Sequence, residues 1–190
     1  GQGEPLINMK NLKTAIQILK DKKGLNYGNK KITVSTSGIA NKIPEAADEI
    51  GTYLALSLHA PNDKLREEIM PINKKFKIKD LIQQLKYYTS VVKEPIFLEY
   101  VMLKGVNDTE DCAKQLVKIM AQFPSKVNLI EFNSWPGVKF QPTERKDIEK
   151  FSKFIQDKGY MSFIRRSRGD DVLAACGQLR TESEKKSKPN

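Results

Sequence analysis

The stretch "KITVSTSGIANKIPEAADEIGTYLALSLHA", Lys31–Ala60, decides the fold. Its first part, Lys31–Gly38, is a β-branched run that ends in small polar residues and a glycine, so it reads as a strand. "IPEAADEI" is a short helical segment, and "YLALSLHA" (Tyr53–Ala60) is a second strand. Strand, helix, strand is the unit of a parallel sheet.

The alternation continues outward. Upstream, Leu12–Lys22 is a helix with Leu12, Ala15, Ile16 and Leu19 on one face. Downstream, "PNDKLREEI" is a short helix capped by Asn62 or Asp63, and Ile78–Tyr88 is another. Ile96–Leu103 is a third strand, followed by a helix with Ala113, Leu116, Val117 and Met120 as its stripe. Lys126–Asn133 is a fourth strand. The next helix takes Thr143 as its cap and stops before Gly159, and Tyr160–Arg166 is a fifth strand. The class is α/β. The strands read as nearly continuously apolar, as when both faces are covered. A partial barrel and an open doubly wound sheet both fit, because periodicity does not supply strand order.

Polar residues collect at the carboxyl ends of these strands: Ser35, Thr36 and Ser37; Ser57 and His59; Asn107; Asn133; then Arg165, Arg166 and Arg168. Parallel βα folds bind ligands on that rim. The opening "GQGEPL" runs straight into a helix with no strand before it. The chain is therefore expected to be the back half of a longer protein. Gly1 and Gly3 suit a close approach to a ligand, and Glu4 suits an amine donor; a plain loop fits equally well.

The bulk properties set limits. With 190 residues, 39% hydrophobic and 29% charged, the chain suits one folded domain. No apolar run approaches the roughly 18 residues of a membrane span, and the start lacks the pattern of a signal peptide. Two cysteines, Cys112 and Cys176, make no disulfide framework and no zinc or iron–sulfur spacing. A net charge of +10 favours a polyanionic partner, nucleic acid above all, although many of the lysines fall on the polar faces of helices.

Cys112 sits on a helix and reads as packing. Cys176 lies in "AACGQL" just after an arginine cluster, where positive charge would raise its thiolate fraction; packing and reactive readings both stand. His59 is the lone histidine and is too little for a metal site by itself. "IRRSRGDD" could face phosphates, and Trp135 could stack on a base or cover the barrel mouth.

Taken together, "GEPL", "VSTSG", "LSLHAPND", "PIN", "EYVML", "NLI" with "FN", and "ACGQL" occur here in an order that resembles the radical S-adenosylmethionine methyltransferases acting on carbon 2 of adenine in 23S ribosomal RNA and transfer RNA. The resemblance covers residues 1 to 180. It implies a partial (β/α)6 TIM-like barrel, here truncated before the first strand, with residues 1–179 as its C-terminal part and 180–190 as a flexible basic tail. It implies S-adenosyl-L-methionine and a [4Fe–4S] cluster as cofactors, with the cluster ligands outside this chain. Carried over by position, Cys176 is the methyl-carrying cysteine. Gly3 and Glu4 contact the methionine end of the cofactor, and Ser35, Ser57, Leu58, His59 and Asn133 complete the pocket.

The implied partners are 23S rRNA, tRNA and a reductant such as flavodoxin or ferredoxin. The implied setting is a cytoplasmic monomer, or an organelle if the source is eukaryotic. Methylation at carbon 8 and a non-catalytic RNA-binding barrel are the alternatives. The family's CxxxCxxC loop is absent here, residue 2 is Gln where Met is usual, and Ser134-Trp135 stands where Pro-Phe is common. The chain alone is therefore expected to be inactive.

Overall fold

The computed structural model describes residues 3–134 and 137–165. Among the described residues, five strands form a single sheet: β1 (Thr33–Thr36), β2 (Tyr53–Ser57), β3 (Ile96–Met102), β4 (Ser125–Glu131) and β5 (Ser162–Arg165). Their order in the sheet is their order in the chain, and every neighbouring pair is parallel. A doubly wound sheet reverses direction at a switch point. No reversal occurs here, so the chain winds one way, as in a partial barrel. The expected fold class holds.

Six α-helices of the described residues connect and flank the strands: α1 (Met9–Lys20), α2 (Ile43–Glu49), α3 (Asp63–Ile69), α4 (Ile78–Val92), α5 (Glu110–Met120) and α6 (Arg145–Asp157). Their apolar faces meet one side of the sheet. In β3, Ile96, Leu98, Tyr100 and Met102 are buried, while Phe97, Glu99 and Val101 between them are only half-buried. In β3 the expected continuous apolar burial gives way to an alternation, while the middle of β2, Leu54, Ala55 and Leu56, is buried throughout. One face carries the core and the other is a concave surface lined by polar and apolar groups.

Register places these concave residues in rows. Ser35, Ala55, Phe97 and Lys126 are opposite one another, and Ser57, Glu99, Asn128 and Phe163 form the next row toward the carboxyl ends. Tyr53 packs edge-on against Phe97 at 5.3 Å between centroids, and the Lys126 ammonium lies 5.8 Å from the same ring. This aromatic layer covers the amino end of the concave surface, away from the rim.

Several boundaries differ from expectation for local reasons. The strand read as Tyr53–Ala60 stops at Ser57, because His59 turns to φ +56. Asn62 is the cap of α3, its side chain accepting from the Leu65 N–H at 3.0 Å. Thr143 does not cap α6; Glu144 occupies that position, and the Thr143 hydroxyl instead donates to Asp108 at 2.9 Å. Cys112 is buried on α5, as the packing reading requires.

Gly38 follows β1 at φ +103, a conformation that side-chain-bearing residues resist. A Cβ there would lie 3.0 Å from the Leu81 side chain, 3.1 Å from an Arg66 guanidinium nitrogen and 3.2 Å from Leu56. Gly38→Ala is expected to lower stability by about 1–3 kcal/mol through crowding and backbone strain. Urea denaturation of the two proteins checks this, with a lower midpoint and an unchanged slope expected.

Candidate ligand site at the carboxyl rim of the sheet

The rim is assembled by one side chain. Arg66, on α3, is completely buried. Its Nη2 donates to the Ser37 carbonyl at 2.7 Å and to the Ser57 carbonyl at 3.0 Å, and its Nε donates to the Leu58 carbonyl at 3.1 Å. Its Nη1 donates to Asn73 Oδ1 at 3.0 Å. The loops that leave β1 and β2 are therefore tied to a single guanidinium. Burial pulls its pKa down to about 10, partly opposed by Asp63, so it stays charged at neutral pH.

Glu4 lies in a cage of donors at the end of β1. Its Oε1 accepts from the Leu6 N–H at 3.1 Å and the Thr36 hydroxyl at 2.9 Å. Its Oε2 accepts from the Ser37 N–H and the Ser37 hydroxyl, both at 2.7 Å. Glu4 also caps the 3-10 turn Pro5–Asn8 that leads into α1. Two of these donors are hydroxyls, which rotate and can yield their place to an incoming ammonium group. Gly3, just before it, is exposed at φ +86 with open space around it.

His59 joins β2 to β3. Its N–H donates to the Glu99 carbonyl at 3.1 Å, and its ring Nδ1 accepts from the Val101 N–H at 3.2 Å. A nitrogen that accepts carries no proton, so the neutral ring holds its hydrogen on Nε2. Burial first, and the Arg66 charge second, push the pKa down to about 4. His59 is thus a neutral donor at the rim.

The remaining rim residues divide into those that line the concave surface and those that support it. Ser35 is exposed on the concave face of β1, and Ser57 is half-buried at the end of β2. The Leu58 side chain belongs to the core, and its N–H and C=O are both bonded within the chain. Asn107 is completely buried: it donates to the His59 and Val101 carbonyls and accepts from the Leu103 N–H, so it braces the rim. Asn133 is half-buried just beyond β4. Cys176, Trp135, Arg166 and Arg168 lie outside the described residues.

Arg66 and Glu99 were not among the expected site residues. Arg66 sits in a polar helix segment, where neither hydrophobic period nor capping preference marks a buried charge. Glu99 interrupts an apolar strand and was the available signal, since a carboxylate within such a run faces the solvent or a site.

The donor set suits a ligand that combines an ammonium group, hydroxyls and an aromatic base. The Glu4 carboxylate, the Ser35 and Ser57 hydroxyls and the His59 Nε2–H surround a surface that also carries Ala55 and Val101. Among the described residues, no three metal-ligating side chains converge. These residues do not provide the thiolates of an iron–sulfur cluster.

The radical SAM superfamily model matches residues 1–116. This chain belongs to the radical SAM superfamily. It is similar to the dual-specificity RNA methyltransferase RlmN of Sinorhizobium fredii, with 50% identity over 186 residues that cover 97% of this chain and 45% of the relative. The RlmN of Agrobacterium fabrum is also 50% identical, and 46% of it is covered. The chain spans about half the length of the curated relatives it matches. A radical SAM methyltransferase from Sphaerobacter thermophilus shares the fold at a TM-score of 0.88 and 37% identity, covering 94% of this chain and 52% of that one. A domain of a pyruvate-formate lyase-activating enzyme from Bacteroides vulgatus, at 16% identity and a TM-score of 0.65, shares the fold alone.

The depressed pKa of His59 makes stability depend on pH. The unfolded histidine titrates near 6.5, so the unfolded chain takes up a proton that the folded chain refuses between that pH and about 4. The stabilisation is full above roughly pH 6.5 and is lost as pH falls, by up to about 1.4 kcal/mol per pH unit. Urea midpoints at pH 7 and pH 5 should show this fall. His59→Asn, whose side chain tolerates the left-handed backbone, should flatten it.

Proposed function

We propose that this chain is the cofactor-binding barrel of an RNA methyltransferase. The full-length protein would transfer a methyl group from S-adenosyl-L-methionine, by way of Cys176, to carbon 2 of an adenine in 23S rRNA and tRNA. One observation carries the reading. The similarity to dual-specificity RNA methyltransferases takes in 97% of the chain at 50% identity, and so runs past the superfamily region into the "AACGQL" segment.

The rim supports this reading in its chemistry. Glu4 would hold the amino group of the cofactor, and the Ser35 and Ser57 hydroxyls would meet its ribose and polar edges. His59 would donate from Nε2 while remaining neutral, which avoids placing a second cation beside a sulfonium. Leu58 would contribute shape from the core side, and Gly3 and Asn133 would border the two ends. When bound with the [4Fe–4S] cluster, S-adenosylmethionine supplies an activated methyl group and a carbon radical. The cluster would take its thiolates from outside the described residues. The reading brings with it a one-electron reductant of the flavodoxin or ferredoxin type and a cytoplasmic monomer. Residues 1–179 would form one barrel unit, with 180–190 as a basic tail.

The test uses the full-length protein reconstituted with iron, sulfide, reductant and S-adenosylmethionine, acting on 23S rRNA and tRNA transcripts. Nucleoside mass spectrometry is expected to find 2-methyladenosine. Cys176→Ala should lower its yield at least about 100-fold, the scale of losing a covalent carrier. If methylated adenosine were absent with the intact protein, the reading would be wrong; an 8-methyl product would transfer it to the neighbouring reaction.

A further inference from the structure

On the concave face, Glu99 has an incomplete set of partners. Its Oε1 accepts from Asn128 Nδ2 at 2.8 Å. Its Oε2 is buried and makes no hydrogen bond. The group facing it is Arg165, at the end of β5, with Nη1 3.5 Å from Oε2. A carboxylate whose side chain is only 13% exposed needs a cation beside it, since an isolated buried charge is costly. Glu99 therefore holds the Arg165 guanidinium over the concave surface.

Arg165 itself is 63% exposed. Among the described residues its guanidinium makes no hydrogen bond and only the ion pair with Glu99, although it carries five donors in a rigid fork. The other described arginines are committed elsewhere. Arg66 is buried in the rim brace, and Arg145 pairs with Glu131 and Glu149 on the outer surface. Arg165 is thus a cation placed at the mouth of the concave surface, anchored from beneath and open from above.

We propose that Arg165, positioned by Glu99, contacts a backbone phosphate of the RNA substrate at the mouth of the barrel. This rests on the RNA methyltransferase reading above. A planar fork matches phosphate oxygens two at a time. The cofactor's own carboxylate is the competing oxyanion, but its amino-acid end belongs near Glu4, beside β1. Arg165 is on β5, at the opposite edge of the sheet from β1.

The experiment measures binding by the full-length protein of a fluorescent 23S rRNA stem-loop bearing the target adenine, between about 50 and 200 mM salt. S-adenosylhomocysteine binding is measured in parallel by calorimetry. Arg165→Gln is expected to weaken RNA binding about 5- to 20-fold and to make the salt slope shallower by about 1, with S-adenosylhomocysteine binding unchanged. Arg165→Lys keeps the charge without the fork, so it should retain the slope while losing affinity. Glu99→Gln should change RNA affinity when Arg165 is present and not in the Arg165→Gln background, because Glu99 acts through Arg165.

Parent-like affinity and slope in Arg165→Gln would overturn the proposal. So would a loss of S-adenosylhomocysteine binding with RNA binding intact, which would assign Arg165 to the cofactor. A parent protein that binds no RNA would overturn the RNA reading itself and this contact with it. Circular dichroism melts check that Arg165→Gln folds, as expected for an exposed side chain.

Discussion

A buried guanidinium organises this fold's working end. Three carbonyls at the ends of two strands, those of Ser37, Ser57 and Leu58, point at Arg66 and have it as a shared donor. Carbonyls left unpaired in the interior would be costly, so the loops after β1 and β2 are held where the arginine can serve them. Arg66 is held in turn by Asn73, and Asn73 by Asp63 through its carbonyl and carboxylate. Asp63 also accepts from the Ile78 N–H and so aligns the start of α4. Much of the "APND" to "PIN" motif is therefore a brace for the rim.

The same economy appears around β3. Tyr100 donates its hydroxyl to the Asn107 carbonyl, while the Asn107 side chain binds β3 and the His59 carbonyl. His59 then receives the Val101 N–H on its ring. The burial that stabilises this network also keeps the ring neutral. A structural constraint thus sets the protonation state of a rim residue, and through it the charge at the rim.

The sheet separates two tasks by parity. In β3, the even-numbered residues from Ile96 to Met102 fill the core, and the odd-numbered residues Phe97, Glu99 and Val101 face the concave surface. Core packing and the make-up of the concave surface are set at alternate positions of one strand, so a change on one face leaves the other largely intact. The Glu99, Asn128 and Arg165 cluster lies wholly on the concave face and contributes nothing to the apolar core.

The elements were legible in the sequence because their signals are local. A β-branched run marked β1 and short apolar runs between helical segments marked the other four strands, and Asn62 and Gly159 marked helix boundaries where the structure has them. Thr143 misled because its hydroxyl found a distant acceptor, Asp108, in place of the helix terminus. The position of Ser57 and His59 at the carboxyl end of β2 was legible too, since it follows from where the apolar run stops. The sequence by itself determined the element order, the parallel class and the family. Tertiary structure alone decided the strand order, the burial of Arg66 and Asn107, and the pairing of Glu99 with Arg165. These depend on which groups meet across gaps of 29 to 66 residues, as Ser37 to Arg66 and Glu99 to Arg165 do, and neither hydrophobic period nor capping preference carries that information.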